Sequence, residues 1–579
     1  MLSYFENTTP LPQVPEDVTL AQFMLDYDHE IRPERGTVPC LIEPSSSRSV
    51  LFDELKSRTR GLATAFQSKY QVGNEDVVMI ASHNHIDYPV VIWAVHRLGG
   101  IITCTNPQFT AEELSYQIGI CKPSLIVVHS GNLQAMLIAS KRFGIPFTRV
   151  ILMDDVNIAP AEAQIRLPTV SSLVSLGLNH HESLTQYKLL SGEGKQKVAF
   201  LCWSSGTTGN PKAVEISHYG VICNIIQMAV QNGVQKFGSR RCSRPYSTGD
   251  VALGVLPFYH VAGLLIGLHL SLFCAMSLVV VPRYEFREMV AYIQQYAISH
   301  IFLVPPQAIA LSKCPSPLLS KLTNVKYILI GAAPVSPHIQ ESLISSFPEA
   351  QIGQAYGLTE MTTTVAMIPS CQKRGPIGSA GRLLPGIKAR VLKSNGQLAI
   401  HGERGELFVQ GPSSALGYLK SSKATKETFF DGWVRTGDEV AISADNEVYV
   451  FDRVKELLKV NGLQVAPAEL EGCLLGHPFV DDACVIGVPH PLMGEIPLAY
   501  VVPSRDIADW TGDGQVQINV SQDISKYVAM RKAGYKHLRG GIRFIDSIPK
   551  SPSGKILRRI LKERENQTLH EASYARAKL

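Results

Sequence analysis

The sequence is poor in the features that mark several large classes of protein. Its formal net charge is only +5 over 579 residues, which gives no support for nucleic-acid binding. Its 11 cysteines include no C-x-x-C pair, so neither a disulfide framework nor a zinc site is indicated, and a reducing compartment is favoured. The first residues show no basic segment followed by an apolar one, so we expect no signal peptide.

Length and composition narrow the class further. A chain of 579 residues is too long for one hydrophobic core, so at least two domains are expected. Hydrophobic residues make up 45% of the chain and charged residues 18%, which is typical of an ordinary soluble enzyme and excludes a disordered chain.

One apolar run could be mistaken for a membrane span. Residues 261–282 contain no Asp, Glu, Lys or Arg, and 22 residues are enough to cross a bilayer. However, Gly263 and Gly267 lie early in the run, and residues 277–281 switch to mostly β-branched types. We therefore expect a buried helix followed by a buried strand, and no membrane span.

The remaining sequence alternates strand and helix patterns. Strands are predicted at 76–81, 100–104, 125–128, 197–203, 301–304 and 327–330, and helices at 88–98 and 110–121. The second helix opens with a capping box formed by Thr110 and Glu113. This alternation predicts parallel βαβ units and an α/β fold. Short strands with turns after residue 385 predict a small β-rich subdomain, and the chain from 454 onward mixes helix and strand.

A loop suited to phosphate follows the strand predicted at 197–203. Residues 203–212 read WSSGTTGNPK, and their glycines leave backbone N–H groups uncovered that can converge on phosphate oxygens. The run also offers hydroxyl donors and one cation. The loop residues concerned are Ser204, Ser205, Gly206, Thr207, Thr208, Gly209 and Lys212. The spacing is not that of a Walker A loop, and the alternative is a plain Ser/Gly surface turn.

This run is accompanied by further motifs in a fixed order. They are LPFYHVAG at 256–263, GAAP at 331–334, QAYGLTE at 354–360, GELFVQG at 405–411, GWVRTGD at 432–438, DRVKELLK at 452–459 and PKSPSGK at 549–555. Together they resemble the adenylate-forming superfamily of acyl- and aryl-CoA ligases, peptide-synthetase adenylation domains and beetle luciferases. The resemblance covers about residues 50–565 and is strongest to the 4-coumarate–CoA ligases and similar fungal-type aryl/acyl-CoA ligases.

The resemblance implies a domain organisation and a reaction. It implies a large N-terminal domain, residues 1–451, with the ATP and acid sites, and a small mobile α+β lid, residues 452–579. The hinge would lie at 452–455, with Lys455 at the hinge position. A carboxylic acid would be adenylated by ATP with Mg²⁺ and then transferred to CoA, releasing pyrophosphate and AMP.

The resemblance also implies the ATP site. Lys555 would bridge the reacting carboxylate and the α-phosphate, although by itself it could be a surface lysine in a basic tail. Glu360 would bind Mg²⁺ together with Thr207, although a lone acid here could serve a helix N-terminus. The other implied ATP residues are Gly331, Ala332, Ala333, Gln354, Ala355, Tyr356, Gly357, Thr359, Asp438 and Arg453. Read alone, residues 331–333 could simply be tight packing, and residues 436–438 a turn with an Asx cap.

The acid and CoA sites follow from the same resemblance. His260 would gate the acid pocket, although a lone histidine in an apolar stretch is more often a satisfied core residue. The pocket would be lined by Val261, Ala262, Leu265, Tyr356 and Gly357. Lys459 and Gln464 would act in thioester formation, and CoA would contact Arg283, Asn461 and Gly462.

Three positions depart from the pattern of plant coumarate ligases. Ala213 replaces a glycine, Asn461 replaces a lysine that contacts CoA, and Ala262 replaces a tyrosine of the pocket wall. The last change leaves space, so a 4-hydroxycinnamate substrate is not assumed and an aromatic or medium-chain acid is expected.

Three rival functions remain. An amino-acid or aryl-acid adenylating enzyme is disfavoured because residues 251–282 contain no acid to hold an α-amine. A luciferase-like oxygenase would share the fold. A catalytically inactive scaffold is disfavoured because it need not keep Lys212, Glu360, Asp438, Arg453 and Lys555.

The last three residues resemble a targeting signal. Ala577, Lys578 and Leu579 match the small-basic-Leu pattern of which S-K-L is the type. We expect binding to the peroxisomal import receptor and a peroxisomal location, with a cytoplasmic location as the alternative.

Overall fold

A computed structural model describes most of the chain. The described residues are 4–155, 166–180, 184–204, 211–236, 246–454, 456–460, 463–490, 493–504, 514–551 and 554–576.

The strands are β1 Phe5–Glu6, β2 Leu41–Glu43, β3 Arg48–Val50, β4 Val77–Ala81, β5 Ile101–Thr105, β6 Leu125–Val128, β7 Val150–Leu152, β8 Val198–Ser204, β9 Lys212–Ser217, β10 Val251–Gly254, β11 Ser277–Val280, β12 His300–Leu303, β13 Tyr327–Ile330, β14 Gln351–Gly357, β15 Thr364–Met367, β16 Ser379–Leu383, β17 Lys388–Leu392, β18 Gly405–Gln410, β19 Gly417–Tyr418, β20 Phe429–Phe430, β21 Trp433–Ile442, β22 Glu447–Arg453, β23 Leu458–Val460, β24 Leu463–Val465, β25 Val480–His490, β26 Gly494–Pro503 and β27 Ile542–Phe544.

The helices are α1 Leu20–Leu25, α2 Phe52–Tyr70, α3 Tyr88–Arg97, α4 Ala111–Cys121, α5 Leu133–Arg142, α6 Val170–Leu178, α7 His218–Gln231, α8 Ser271–Phe273, α9 Phe286–Gln295, α10 Pro305–Ser312, α11 Ser316–Leu319, α12 Pro337–Ser346, α13 Ser422–Thr428, α14 Pro467–Leu474, α15 Gly514–Arg531 and α16 Arg558–Arg576.

The first sheet confirms the predicted parallel βαβ units. Its strand order is β19-β9-β8-β5-β4-β6-β7, and the pairs among β4 to β8 are parallel. These parallel strands are mostly buried, as expected for a sheet covered by helices on both faces. The predicted capping box is present, since Thr110 N donates to Glu113 Oε2 at 2.8 Å and α4 begins at the next residue.

The second sheet joins a parallel half to an antiparallel half. Strands β14, β13, β12, β10, β11 and β2 are parallel neighbours, whereas β15, β16, β17, β18, β21 and β22 pair antiparallel. The short strands predicted after residue 385 are therefore present, but they continue the same sheet through β14 and β15. This junction brings the end of β14 close to the hairpin of β21 and β22, since Tyr356 of β14 contacts Asp438 of β21.

A third, smaller sheet forms the C-terminal part of the chain. Its order is β24-β23-β26-β25, with β27 paired parallel to β26. Helices α14 and α15 contribute to its apolar core through residues such as Leu470, Leu474 and Ile524. The mixture of helix and strand predicted beyond residue 454 is confirmed.

The apolar run at 261–282 is buried inside the protein. Residues Gly263–Leu270 form a π-helix, α8 continues it, and β11 enters the second sheet. The predicted helix and strand are therefore both present, although the helix is wound more widely than an α-helix. Within it, His269 Nδ1 donates to the carbonyl of Leu264 at 2.7 Å, and Trp93 donates to His269 Nε2 at 3.2 Å. Across the residues that the structure covers, no helix combines the length and apolarity needed to cross a bilayer.

Candidate active site

Lys555 lies in a turn that packs on the N-terminal part of the chain. Gly554 has φ +80°, and a Cβ atom on it would lie 3.1 Å from Cβ of Val304. Within the turn, Ser551 N donates to Lys555 O at 2.7 Å, and Lys555 N donates to Ser551 Oγ at 3.1 Å. The left-handed glycine and these bonds direct the lysine toward the junction of the two parts.

Four charged residues act on Lys555: the predicted ATP-site residues Asp438, Arg453 and Glu360, and in addition Glu456. Burial and the nearby Arg453 guanidinium lower the pKa of the Lys555 ammonium, and the carboxylates of Asp438 and Glu360 act in the opposite direction. The structure therefore brings Lys555, Asp438, Arg453 and Glu360 into one electrostatic cluster, although they come from motifs up to 195 residues apart in the sequence.

Asp438 is held by two partners. Its Oδ1 pairs with Arg453 Nε at 2.7 Å, and its Oδ2 accepts a hydrogen bond from the Tyr356 hydroxyl at 2.5 Å. Burial raises the pKa of the Asp438 carboxyl, against the lowering effect of Arg453 and Tyr356. The alternative of a simple turn at 436–438 is wrong, because these residues lie inside β21 and Asp438 pairs with Arg453 of β22.

The segments expected to border the adenine lie side by side. Ile330 and Gln354 are register partners in β13 and β14, and a Cβ on Gly331 would lie 3.4 Å from Ala355 O. Ala332 has φ +76°, an uncommon conformation for a residue with a side chain. Ala333 follows it, and the loop is held because Gln354 Oε1 accepts a hydrogen bond from Val335 N at 3.1 Å. The Gln354 side chain is thus turned toward this loop.

Gly357 is required by a close approach of two strands. A Cβ on Gly357 would lie only 1.8 Å from Thr363 O, so no other residue fits without moving β14 or β15. Thr359 and Glu360 follow in a short 3-10 helix, Thr359–Met361. The glycine therefore sets where this helix leaves the sheet.

The predicted phosphate loop joins two paired strands. Ser204 ends β8 and pairs with Lys212, which begins β9. Ala213 is buried in β9, so the change from glycine is accommodated by packing. Ser205, Gly206, Thr207, Thr208 and Gly209 lie outside the described residues.

Of the two expected metal ligands, Glu360 and Thr207, only Glu360 lies within the described residues. Its Oε1 accepts a hydrogen bond from the Tyr418 hydroxyl at 2.8 Å, and its carbonyl accepts one from Ala415 N at 2.9 Å. Among the described residues, no group of three or more His, Cys, Asp or Glu side chains could hold a metal alone. A single carboxylate fits a Mg²⁺ ion that takes its other ligands from substrate phosphates and water.

His260 stands at the entrance of the apolar helix. Its Nδ1 accepts a hydrogen bond from Ala262 N at 3.3 Å, which places the proton of the neutral ring on Nε2. Burial, and then the charge of Lys555, lowers the pKa of His260 to about 3. His260 is therefore a neutral hydrogen-bond donor near Lys555. Val261 and Leu265 are buried, and Ala262 is partly exposed beside them.

The residues expected to act with CoA that the structure describes lie on other elements of the chain. Lys459 and Gln464 are register partners in the β23–β24 hairpin, where Lys459 is exposed. Arg283 is also exposed and donates to His83 Nε2 at 3.2 Å from Nη2. Lys455, Asn461 and Gly462 lie outside the described residues.

Two supporting residues were missed by reasoning from the sequence. Asn84 Nδ2 donates to Leu256 O at 2.9 Å, and its Oδ1 accepts from Phe258 N at 2.8 Å, which fixes the run that leads to His260. Tyr418 holds Glu360, as described above. Both act through contacts between distant parts of the chain, and neither carried a local signal of its own.

Sequence comparison decides the family. A sequence model of the family described as AMP-binding enzyme matches residues 32–419, and one described as AMP-binding enzyme C-terminal domain matches residues 469–555. The chain belongs to the AMP-binding enzymes.

Relatives of this AMP-binding enzyme align over nearly their whole length. An acyl-CoA ligase, AFT1-1, of Alternaria alternata is 33% identical, with 96% of this chain and 95% of the relative covered. A probable 4-coumarate–CoA ligase 1 of Dictyostelium discoideum is 33% identical, with 97% and 98% covered. A peroxisomal OPC-8:0-CoA ligase 1 of Arabidopsis thaliana is 33% identical, with 96% and 95% covered.

A solved structure shares the fold. The anthranilate CoA ligase AuaEII in complex with anthranoyl-AMP superposes with a TM-score of 0.80 at 20% identity, covering 96% of this chain and 99% of that one. The predicted family, the α/β fold with a smaller C-terminal domain, and the enzyme class of acid–thiol ligase are confirmed.

Proposed function

We propose that this AMP-binding enzyme adenylates an aromatic or medium-chain carboxylic acid with ATP and then transfers the acyl group to CoA. The observation that carries the proposal is the convergence of Lys555 with Asp438, Arg453 and Glu360. A partly buried cation close to a carboxylate that can bind the ribose and to a candidate metal ligand suits transfer at a nucleotide α-phosphate.

The cluster supports the first half-reaction. The acid's carboxylate oxygen attacks the α-phosphorus, and the bond from that phosphorus to the pyrophosphate oxygen breaks. Lys555 stabilises the negative charge shared by carboxylate and phosphate, and neutral His260 offers its Nε2 proton to the carboxylate. Asp438 accepts hydrogen bonds from the ribose hydroxyls. Mg²⁺, held by Glu360 and Thr207, would neutralise part of the phosphate charge when bound.

The second half-reaction needs a different face of the lid. In it the CoA thiolate attacks the acyl carbon, and the bond to AMP breaks. Lys459 and Gln464 lie on the β23–β24 hairpin, while Lys555 lies at the cluster, so the proposal includes rotation of residues 452–579 about a hinge at 452–455. Asn461, Gly462 and Arg283 are proposed to contact CoA.

The turn bearing Lys555 is fixed to the rest of the lid, which supports a movement as one unit. Arg558 pairs with Glu471 of α14 at 2.6 Å and also with Glu456. Across the proposed hinge, Asp452 Oδ2 accepts a hydrogen bond from Ala468 N at 3.1 Å. Burial raises the pKa of Asp452 to about 6. A rotation about the hinge would break the hydrogen bond between Asp452 and Ala468 and keep the ion pair between Arg558 and Glu471.

A direct assay tests the function. Pyrophosphate release should be measured over a panel of aromatic and aliphatic acids, with and without CoA. We expect release with a subset of acids and formation of the acyl-CoA when CoA is present. Adenylate that forms but never reaches CoA would favour the adenylating enzyme, and oxygen-dependent light would favour the luciferase-like alternative.

Ala262 offers a test of the acid pocket. Ala262→Tyr should harm large acids and spare small ones such as benzoate, because added volume in a packed site typically costs roughly 1–3 kcal/mol, about 5- to 150-fold in kcat/KM. The KM for ATP should stay unchanged, since the nucleotide lies on the other side of the reacting carboxylate. A uniform loss over all acids would place the residue in support of the fold or of His260.

The proposed location is the peroxisome. The support is the tripeptide Ala577-Lys578-Leu579, which lies outside the described residues, together with the peroxisomal relative from Arabidopsis. Deleting these three residues should move the fluorescently tagged protein from peroxisomes to the cytosol without changing activity in vitro. Punctate fluorescence that persists after the deletion would refute the import signal.

A further inference from the structure

Tyr418 links two residues of the proposed ATP site. Its hydroxyl donates to Glu360 Oε1 at 2.8 Å, and its ring centre lies 4.9 Å from Lys212 Nζ. Only 8% of the residue is exposed. One buried side chain therefore contacts the candidate metal ligand and the cation that ends the phosphate loop.

The chain just before Tyr418 also holds the backbone around Glu360. Ala415 N donates to Glu360 O at 2.9 Å, and Thr362 Oγ1 donates to Ser413 O at 2.6 Å. Thr362 has φ +67°, which is rare for a β-branched residue and persists only where the surroundings enforce it. Residues 413–418 thus fix the position of the turn that carries Glu360.

Tyr418 itself is held in place. It pairs with Val214 of β9, two residues beyond Lys212. Its backbone N donates to Thr425 Oγ1 at 3.0 Å, and its ring meets the Phe429 ring edge-on at 5.6 Å. A side chain anchored on several sides can hold a carboxylate in one orientation.

We infer that Tyr418 is a positioning residue for adenylation, a role that rests on the proposed function. Its hydroxyl engages Oε1 of Glu360 and leaves Oε2 for the cation of the metal–ATP complex. Its ring face sets the position of the Lys212 ammonium through a cation–π contact. Hydrogen-bond partners of metal ligands orient them, and their loss typically weakens metal affinity or activity about 10- to 100-fold.

Tyr418→Phe isolates the hydroxyl. Phenylalanine keeps the buried ring over Lys212 and removes the hydroxyl, which donates to Glu360 and also bonds with Thr428. Tyr500→Phe is a matched control, because the Tyr500 hydroxyl also donates to a buried glutamate, Glu565 Oε2, at 2.8 Å. That pair joins β26 to α16, and neither residue lies on the elements that carry Glu360 and Lys212.

Metal affinity is the first measurement. Mn²⁺ binding to the full-length enzyme with α,β-methylene-ATP should be measured by electron paramagnetic resonance of free Mn²⁺. We expect Tyr418→Phe to bind Mn²⁺ about 10- to 100-fold more weakly, and Tyr500→Phe to match the wild type. Equal Mn²⁺ affinity in wild type and Tyr418→Phe would overturn the inference.

The half-reactions give the second measurement. Tyr418→Phe should slow pyrophosphate–ATP exchange, while CoA transfer from a supplied acyl-adenylate changes by less than about twofold, because no triphosphate takes part in that step. Equal loss in both steps with a lower Tm would show a merely structural role and overturn the inference. A wild-type enzyme that forms no acyl-CoA would refute the proposed function, whereas weaker Mn²⁺ binding by Tyr418→Phe than by that wild type would still support the positioning of Glu360 by Tyr418.

Discussion

Lys555→Ala is expected to slow adenylation by about 1000-fold and to leave CoA transfer from a supplied acyl-adenylate nearly intact. The charged form of this lysine is favoured by the carboxylates of Asp438 and Glu360 and disfavoured by Arg453, and we place it at the α-phosphate. Without Lys555, the negative charge that develops between the carboxylate and the phosphate during adenylation would lack a nearby cation. In the second half-reaction that charge has gone, and the proposed rotation carries the lysine away.

Pyrophosphate–ATP exchange and single-turnover CoA transfer measure the two steps separately. Arg559→Ala is a suitable control, because Arg559 is a neighbouring cation whose side chain is 79% exposed and pairs only with Glu563, at 3.6 Å, among the described residues. The control should behave as wild type in both assays. Exchange by Lys555→Ala at a near wild-type rate would refute the role of Lys555.

Local sequence patterns predicted the regular elements well. The strands at 76–81 and 125–128 and the helix opened by Thr110 depend on apolar spacing and capping, which act over a few residues. The wide winding of Gly263–Leu270 was not predicted, because it involves the His269 ring bonding the carbonyl of Leu264 and meeting Trp93 from α3. Contacts of that kind leave no periodic signal.

The candidate site could be predicted only as a set of residues. Motifs supplied Lys555, Asp438 and Glu360, but only the folded chain shows that their charges meet. The direction of the Gln354 side chain and the role of Tyr418 follow from the pairing of distant strands, and β19 reaches β9 across more than 200 residues of sequence. The parts assigned to residues 205–209, 455 and 461–462 stay predictions.

Asp438→Ala is expected to lower kcat/KM for ATP by about 100- to 10,000-fold, because two hydrogen bonds to a charged group contribute about 1.5–3 kcal/mol each. The carboxylate is buried and presented by Arg453 at 2.7 Å and Tyr356 at 2.5 Å, so it can accept from a ribose without reorganisation. Part of the loss would arise indirectly, since Asp438 also helps to keep Lys555 charged.

Deoxynucleotides separate the direct effect from the indirect one. Wild-type enzyme should prefer ATP over 2′-deoxy-ATP and 3′-deoxy-ATP by about tenfold or more each. Asp438→Ala should lose that preference, because the variant has no carboxylate to accept hydrogen bonds from the ribose hydroxyls. Asp445→Ala, in the exposed turn of the same β21–β22 hairpin, should keep both activity and preference. If Asp438→Ala still discriminates against both deoxynucleotides as wild type does, the carboxylate does not bind the ribose, and its contribution would be to sustain the charge of Lys555 alone.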